Sequence, residues 1–306
     1  MNPVFIGPEI EARLDWLELI SALEAGHNLP KASITDSFLY RGTDTLLSRA
    51  AWIDRLGSLV KTATIFPGNV SLNIPNVNGA AAIFSDTSGE LSAFVDFHLL
   101  TKWKTAGDSL FAASKLARPN SRKITLIGAG AVSRSMQAAY SALFPQAEFT
   151  IWNRSPKAAQ DMARSLPRCV ASLDLQSAVA QADIICCATM STSPVLQGAW
   201  LRPGQHIDLI GAFRPDMREA DDTALKRAAL FVDSFDTTLD HIGELKIPLA
   251  QGVIARSDIR ADFYGLANDR FSRPSAEAIT ICKNGGGAHL DLMTSHYILH
   301  KWREFQ

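Results

Sequence analysis

From residue 119 onward the chain alternates short apolar runs with helical stretches, and the first apolar run is followed at once by glycines. Lys123–Ile127 reads as a strand, Gly128-Ala-Gly130-Ala-Val-Ser133 as a tight turn, and Ala131–Phe144 as a helix stopped by Pro145. Strand, glycine turn and helix in that order are the context a dinucleotide-binding fingerprint requires. Gly128 permits the turn. Gly130 lets the backbone amides around Ala131 and Val132 approach a pyrophosphate at the helix N-terminus, and Ser133 is small enough for close helix–strand packing. The alternation continues through strands Glu148–Trp152, Arg168–Ala171, Ile184–Ala188, His206–Gly211 and Leu230–Asp233, with helices between them. Such βαβ units build a parallel sheet. The predicted fold class is α/β, a Rossmann-type doubly wound parallel sheet, joined to a mixed α+β domain.

That mixed domain comes first in the chain, before Pro119. Glu9–Leu29 carries Ile10, Leu14, Leu17, Ile20 and Leu23 at helical spacing. Strand-like runs follow at Ser37–Arg41, Leu56–Phe66, Ala80–Ser85 and Glu90–Phe97, the last two flanking a hairpin signal at Asp86-Thr-Ser-Gly89. Leu100–Ala117 reads as a helix. His289–Trp302 reads as a closing helix that returns to this first domain, while Asp236–Arg273 has no clear period. The expected division is residues 1–117 with 289–306 against 118–288.

With 30 Lys and Arg against 31 Asp and Glu in 306 residues, the chain carries no basic field, which argues against nucleic acid or an anionic membrane as partner. No apolar run approaches the roughly 18 residues of a membrane span. No secretory signal is visible at the N-terminus. The four cysteines, Cys169, Cys186, Cys187 and Cys282, form no CxxC pair or metal-finger spacing, so a reducing cytoplasm is expected. His296 and His300 stand four residues apart without an HExxH pattern or a third ligand, and no metal site is expected.

An acidic residue about 20 positions past the glycine turn would bind the ribose 2′-hydroxyl of NAD. Asn153-Arg154-Ser155 stands there instead. Arg154 can stack on adenine or pair with a 2′-phosphate, and Asn153 and Ser155 can donate hydrogen bonds, so NADPH is expected over NADH. Ala188-Thr189 and Gly211 end later strands and should border the nicotinamide half.

The candidate chemistry lies in the first domain. Lys61, in the apolar run Leu59–Phe66, is either an edge-strand charge or a functional amine. Arg41 could hold a substrate carboxylate, although a solvated strand end is the better reading of the residues alone. Lys102 and Lys104 sit at a helix start, where cations oppose the dipole and a bound anion would account for one of them.

Six ordered stretches extend this reading: Val60–Asn69, Thr87–Asp96, Leu100–Ser109, Ile127–Gly130, Ile210–Glu219 and Thr280–Asp291. Through them the chain resembles the ornithine cyclodeaminase/mu-crystallin family along nearly its whole length. The resemblance implies a homodimer, a first domain for dimerisation and substrate, Lys61 at the family's active-site lysine, and Lys104 at a carboxylate-binding arginine, with Arg41 as the other. Where the cyclodeaminases place an acid/base Asp, this chain aligns Phe213. The segment Phe213–Glu219 looks like the mu-crystallin version, and other motif variants look like the Δ1-pyrroline-2-carboxylate reductase branch. The implied reaction is NAD(P)H-dependent reduction of a small cyclic 2-imino acid, with Asp216 and His289 as reserve proton donors beside Lys61. Ornithine cyclodeamination, alanine dehydrogenation and a non-catalytic dinucleotide-binding role are the alternatives.

Overall fold

The computed structural model describes residues 3–306 and divides them into two compact units, one running up to Lys104 with Gly286–Gln306, the other Thr105–Gly285. The first unit carries a six-stranded sheet of β1 (Val4–Ile6), β2 (Ser33–Arg41), β3 (Asp44–Ile53), β4 (Gly57–Ile65), β5 (Val77–Phe84) and β6 (Leu91–Asp96), in the order β1-β6-β5-β4-β3-β2. Neighbours pair antiparallel except β1 with β6. Alternation along each strand sorts the side chains by face. Ile53, Leu59, Ala81, Ile83, Ala93 and Val95 are fully buried on one face, and burial of each large aliphatic contributes about 1.5–3 kcal/mol. The last helix, Ala288–Glu304, lies against β3 and β4, with helix Trp16–His27 beside it. On the opposite face the cross-strand row Phe5, Phe94, Ala82, Val60, Ala50 leaves Phe5, Phe94 and Val60 open to solvent, together with Trp52 and Leu46.

The second unit is an all-parallel sheet of β7 (Lys123–Ile127), β8 (Glu148–Trp152), β9 (Cys169–Ala171), β10 (Ile184–Cys187), β11 (His206–Leu209), β12 (Ala229–Val232), β13 (Ile259–Ala261) and β14 (Thr280–Lys283). The order is β13-β12-β14-β11-β10-β7-β8-β9. The chain goes from β7 to β8 and β9 on one side, then crosses back to β10 on the other. The strand order therefore reverses between β7 and β10, and the carboxyl ends there open a crevice. This is the expected doubly wound fold. Among the described residues no helix is long and apolar enough to cross a membrane.

Three local expectations change. The first helix does not begin at Glu9: a 3₁₀ turn spans Pro8–Arg13, and the α-helix starts after Asp15, whose carboxylate accepts the Leu17 and Glu18 amides at 2.8 and 3.0 Å. The division between units falls inside the long helix Phe97–Leu116, not at 117/118. The Leu116 carbonyl accepts from Arg273 (2.7 Å) and Thr280 (3.1 Å), so the end of that helix is built into the second unit. The return falls at 285/286 rather than 288/289, where the Gly285 amide donates to Asp233 at 2.9 Å.

Candidate active site

The first unit gathers charge where a sheet ordinarily keeps only apolar groups. Lys61 lies on β4, which is paired on both sides, so it is no edge-strand charge. It alternates with Leu59 and Ala63 and is buried with them. Its Nζ donates to Asp291 Oδ1 at 2.8 Å and to Thr101 Oγ1 at 3.0 Å, and stands 4.8 Å from the centre of the Phe97 ring. Directly across the ladder on β3 is Arg49. Its guanidinium grips Asp36 (2.7 and 3.3 Å), donates to the Gly286 carbonyl at 2.8 Å and lies 3.6 Å from Asp291 Oδ2. Buried Lys104 donates to the same carbonyl at 3.1 Å. Gly286 has φ +70°, and a Cβ there would come within 2.5 Å of Lys104 Nζ, so both backbone strain and space call for glycine.

Burial pushes the Lys61 ammonium down to about 8; Asp291 opposes that fall, while Lys104 and Arg49 add to it. Lys61 therefore exchanges its proton close to neutrality, as a proton donor at that pH requires. Burial alone would raise the Asp291 carboxyl, but Lys61, Lys104 and Arg49 hold it below the usual carboxylate range. Three cations thus converge on the Asp291 carboxylate, and Asp36 holds one of them, Arg49.

Two of these residues, Arg49 and Asp291, were not singled out from the sequence, and several that were stand elsewhere. Arg41 is 79% exposed and pairs with Asp44 at 2.9 Å in the β2–β3 hairpin. It is five residues along β2 from Asp36, or roughly 17 Å at strand rise; Arg49 is the arginine beside Lys61. His289 is buried against the His27 ring, edge to face at 5.5 Å. It precedes Asp291 by two positions, and residues so spaced on a helix do not face each other, so it is directed away from Lys61. Lys102 is occupied by Glu11 at 2.5 Å. Asp216, in the second unit, is exposed and bound by Arg214 through two 2.9 Å hydrogen bonds. Those bonds hold its carboxyl below its ordinary value, so near neutrality it has no proton to give. Phe213 is exposed in the same loop.

In the second unit the glycine turn has the shape a pyrophosphate needs. Gly128 has φ +114°, and a Cβ there would lie 2.6 Å from the Ala188 carbonyl. Gly130 caps the 13-residue helix Ala131–Leu143, and a Cβ on it would meet nothing within 4 Å. The first amides of that helix, Ala131 and Val132 among them, have no intrahelical acceptor. Among the described residues the buried Ser133 hydroxyl likewise has no hydrogen-bond partner. A bare, donor-lined cradle at a helix N-terminus fits a dinucleotide's phosphates. At the end of β8, Asn153 donates to the Ser155 carbonyl at 3.2 Å, Ser155 caps the next helix, and Arg154 is exposed. At the ends of β10 and β11, Glu219 accepts from Thr189 N and Oγ1 (2.7 and 2.8 Å) and from the Gly211 and Ala212 amides (2.7 and 3.1 Å). Burial pushes the Glu219 carboxyl up to about 7, with Lys283 opposing the shift.

Residues 53–306 match the Ornithine cyclodeaminase/mu-crystallin family. The chain belongs to this family. It is 50% identical to the Delta(1)-pyrroline-2-carboxylate reductase of Paracoccus denitrificans over 94% of this chain and 92% of that protein. It is 34% identical to the protein SAR DEFICIENT 4 of Arabidopsis thaliana, over 97% and 96%. Its fold superposes on the Thermococcus litoralis Delta(1)-pyrroline-2-carboxylate reductase, solved in complex with NADH and L-proline. The TM-score is 0.89 and the identity 25%, with 98% of each chain covered.

Proposed function

We propose that this chain reduces a cyclic 2-imino acid with NAD(P)H, converting Δ1-pyrroline-2-carboxylate to L-proline, with Δ1-piperideine-2-carboxylate to L-pipecolate as a related activity. The observation that carries the reading is the cluster of buried Lys61 and Lys104 and half-buried Arg49 around buried Asp291. Three cations around one buried carboxylate favour an anionic substrate, and one of them, Lys61, releases a proton near neutrality. The relative that is half identical over nearly the whole chain supports the choice of imine. When bound, the reduced nicotinamide supplies the hydride to the imine carbon. The chain's own residues do the rest. Lys104 holds the substrate carboxylate, and Arg49, itself fixed by Asp36, adds positive charge beside it. Lys61 delivers one proton to the imine nitrogen, completing a saturated amine. Asp291 holds the ammonium in place.

The test is direct. Δ1-pyrroline-2-carboxylate with NADPH should give L-proline and one equivalent of NADP⁺, while ornithine with NAD⁺ should release no ammonia. Ammonia from ornithine without imine reduction would restore cyclodeamination. The same assay decides the cofactor. Arg154 is exposed at the position where an acidic residue would select NAD. Replacing it with alanine should raise KM for NADPH roughly ten- to a hundredfold, the value of a charged hydrogen bond, and leave KM for NADH unchanged. Equal changes for both cofactors would remove Arg154 from 2′-phosphate recognition.

The open sheet face of Phe5, Phe94, Val60, Trp52 and Leu46 supports a homodimer, because a contiguous apolar face of this kind marks an interface. Sedimentation velocity should give twice the 33.3 kDa chain mass, and Val60→Glu should shift the protein to monomer. A wild-type monomer would end the proposal. All four cysteines are free thiols, which supports placement in a reducing cytoplasm.

A further inference from the structure

We propose that Glu219 is the positioning residue for the nicotinamide end of the dinucleotide, acting by clamping together the two turns that follow β10 and β11. The inference rests on reading the second unit as dinucleotide-binding. A dinucleotide straddles the switch point, one half on each side. The position that selects the adenosine ribose lies at the end of β8, on one side of β7. The nicotinamide half therefore faces β10 and β11, on the other side.

The ends of those two strands are held by one side chain. The two Glu219 oxygens receive four donors, two from Thr189 and one each from Gly211 and Ala212. The turns also touch each other directly. A Cβ on Gly211 would collide with the backbone nitrogen and carbonyl of Thr189, so glycine alone lets the clamp close. Glu219 is held in turn. Its own amide donates to Glu244 at 2.6 Å and the next amide, of Ala220, to the other Glu244 oxygen at 3.0 Å. The ammonium of buried Lys283, bound to the Leu209 and Asn284 carbonyls at 2.7 and 2.8 Å, supplies the nearby positive charge. Two carboxylates and a lysine, all fully or almost fully buried, are expensive to place in a core, and an apolar set of the same volume would hold the fold at less cost. What apolar groups cannot do is accept four backbone and hydroxyl donors from two separate turns at once. A glutamine cannot either: its amide has one acceptor oxygen, and its NH₂ meets donors at the other turn.

The experiment compares wild type with Glu219→Gln by titrating two ligands, NADPH and 2′-phospho-ADP-ribose, which lacks the nicotinamide. The variant should bind NADPH at least tenfold more weakly and bind 2′-phospho-ADP-ribose as wild type does. Its kcat should fall about a hundredfold, the usual cost of misplacing a reacting group by about 1 Å, with KM for the imine unchanged. Equal weakening of both ligands would make Glu219 a structural support of the whole unit and overturn the proposal, as would no change in either. A wild-type protein that binds neither of these ligands nor NADH would instead overturn the dinucleotide reading, and this proposal with it. Should Glu219→Gln fail to fold, Thr189→Val removes one of the four donors and decides the matter by the same comparison, with the same sign and a smaller loss.

Discussion

Lys61→Met should cost about 10²–10⁴-fold in kcat, the range for removing a positioned proton donor, while the protein still folds and binds NADPH. Methionine matches the length and apolar stem of lysine, so packing beside Leu59, Ala63 and the Phe97 ring is largely kept. Asp291 loses its 2.8 Å partner but retains Arg49 at 3.6 Å, so its charge is not stranded. The measurements are steady-state imine reduction, NADPH titration and thermal unfolding on one preparation. Near-wild-type turnover in a folded, NADPH-binding variant would remove Lys61 from the chemistry and leave it a structural partner of Asp291.

Asp291→Asn should do its damage through pH. Asp291 is the group that holds the Lys61 ammonium up against burial. Without it the Lys61 pKa falls below about 8, so the alkaline limb of the kcat profile moves toward acid. Activity lost at neutral pH should partly return as the pH is lowered, and Lys61→Met should show no such return. A profile with an unmoved alkaline limb would mean that Lys61 does not supply the proton. The variant should also be less stable by about 3–5 kcal/mol, the cost of leaving one member of a buried pair uncompensated. In the wild type the sign of the pH effect on stability is opposite to that on activity. Unfolded Lys61 keeps its proton up to about 10.5 and folded Lys61 only to about 8. The unfolded state thus binds more protons across that window, and this group makes the fold more stable as pH rises through it, while turnover declines.

The parallel sheet was readable because its strands are buried on both faces and appear as plain apolar runs, such as Ile124–Ile127 and Ile184–Cys187. The glycine turn was readable because Gly128 is confined by its own backbone. The mixed sheet was harder. β3, from Asp44 to Ile53, went unread because Arg49 and Ser48 break its apolar pattern, and Arg49 breaks it by pointing inward. Pro248 inside the helix Gly243–Ala250 and a three-residue β13 left Asp236–Arg273 without a period. Asp291 did leave a signal: it is the one carboxylate in the stretch Ala288–Ser295, between Leu290 and Leu292, and a carboxylate buried there needs a partner.

The sequence by itself determined the fold class and the glycine turn, because hydrophobic period and turn chemistry are local properties of the chain; it left Lys61 as either an edge-strand charge or a functional amine. The tertiary structure decided which charges meet. Lys61 and Asp291 are 230 residues apart, and Arg49 rather than Arg41 stands beside Lys61 only because the strand register of β2, β3 and β4 puts it there. A register shift of one residue would turn Lys61 and Arg49 to the opposite face. The convergence of three cations on one buried carboxylate is therefore a property of strand pairing and helix docking, which no local pattern encodes.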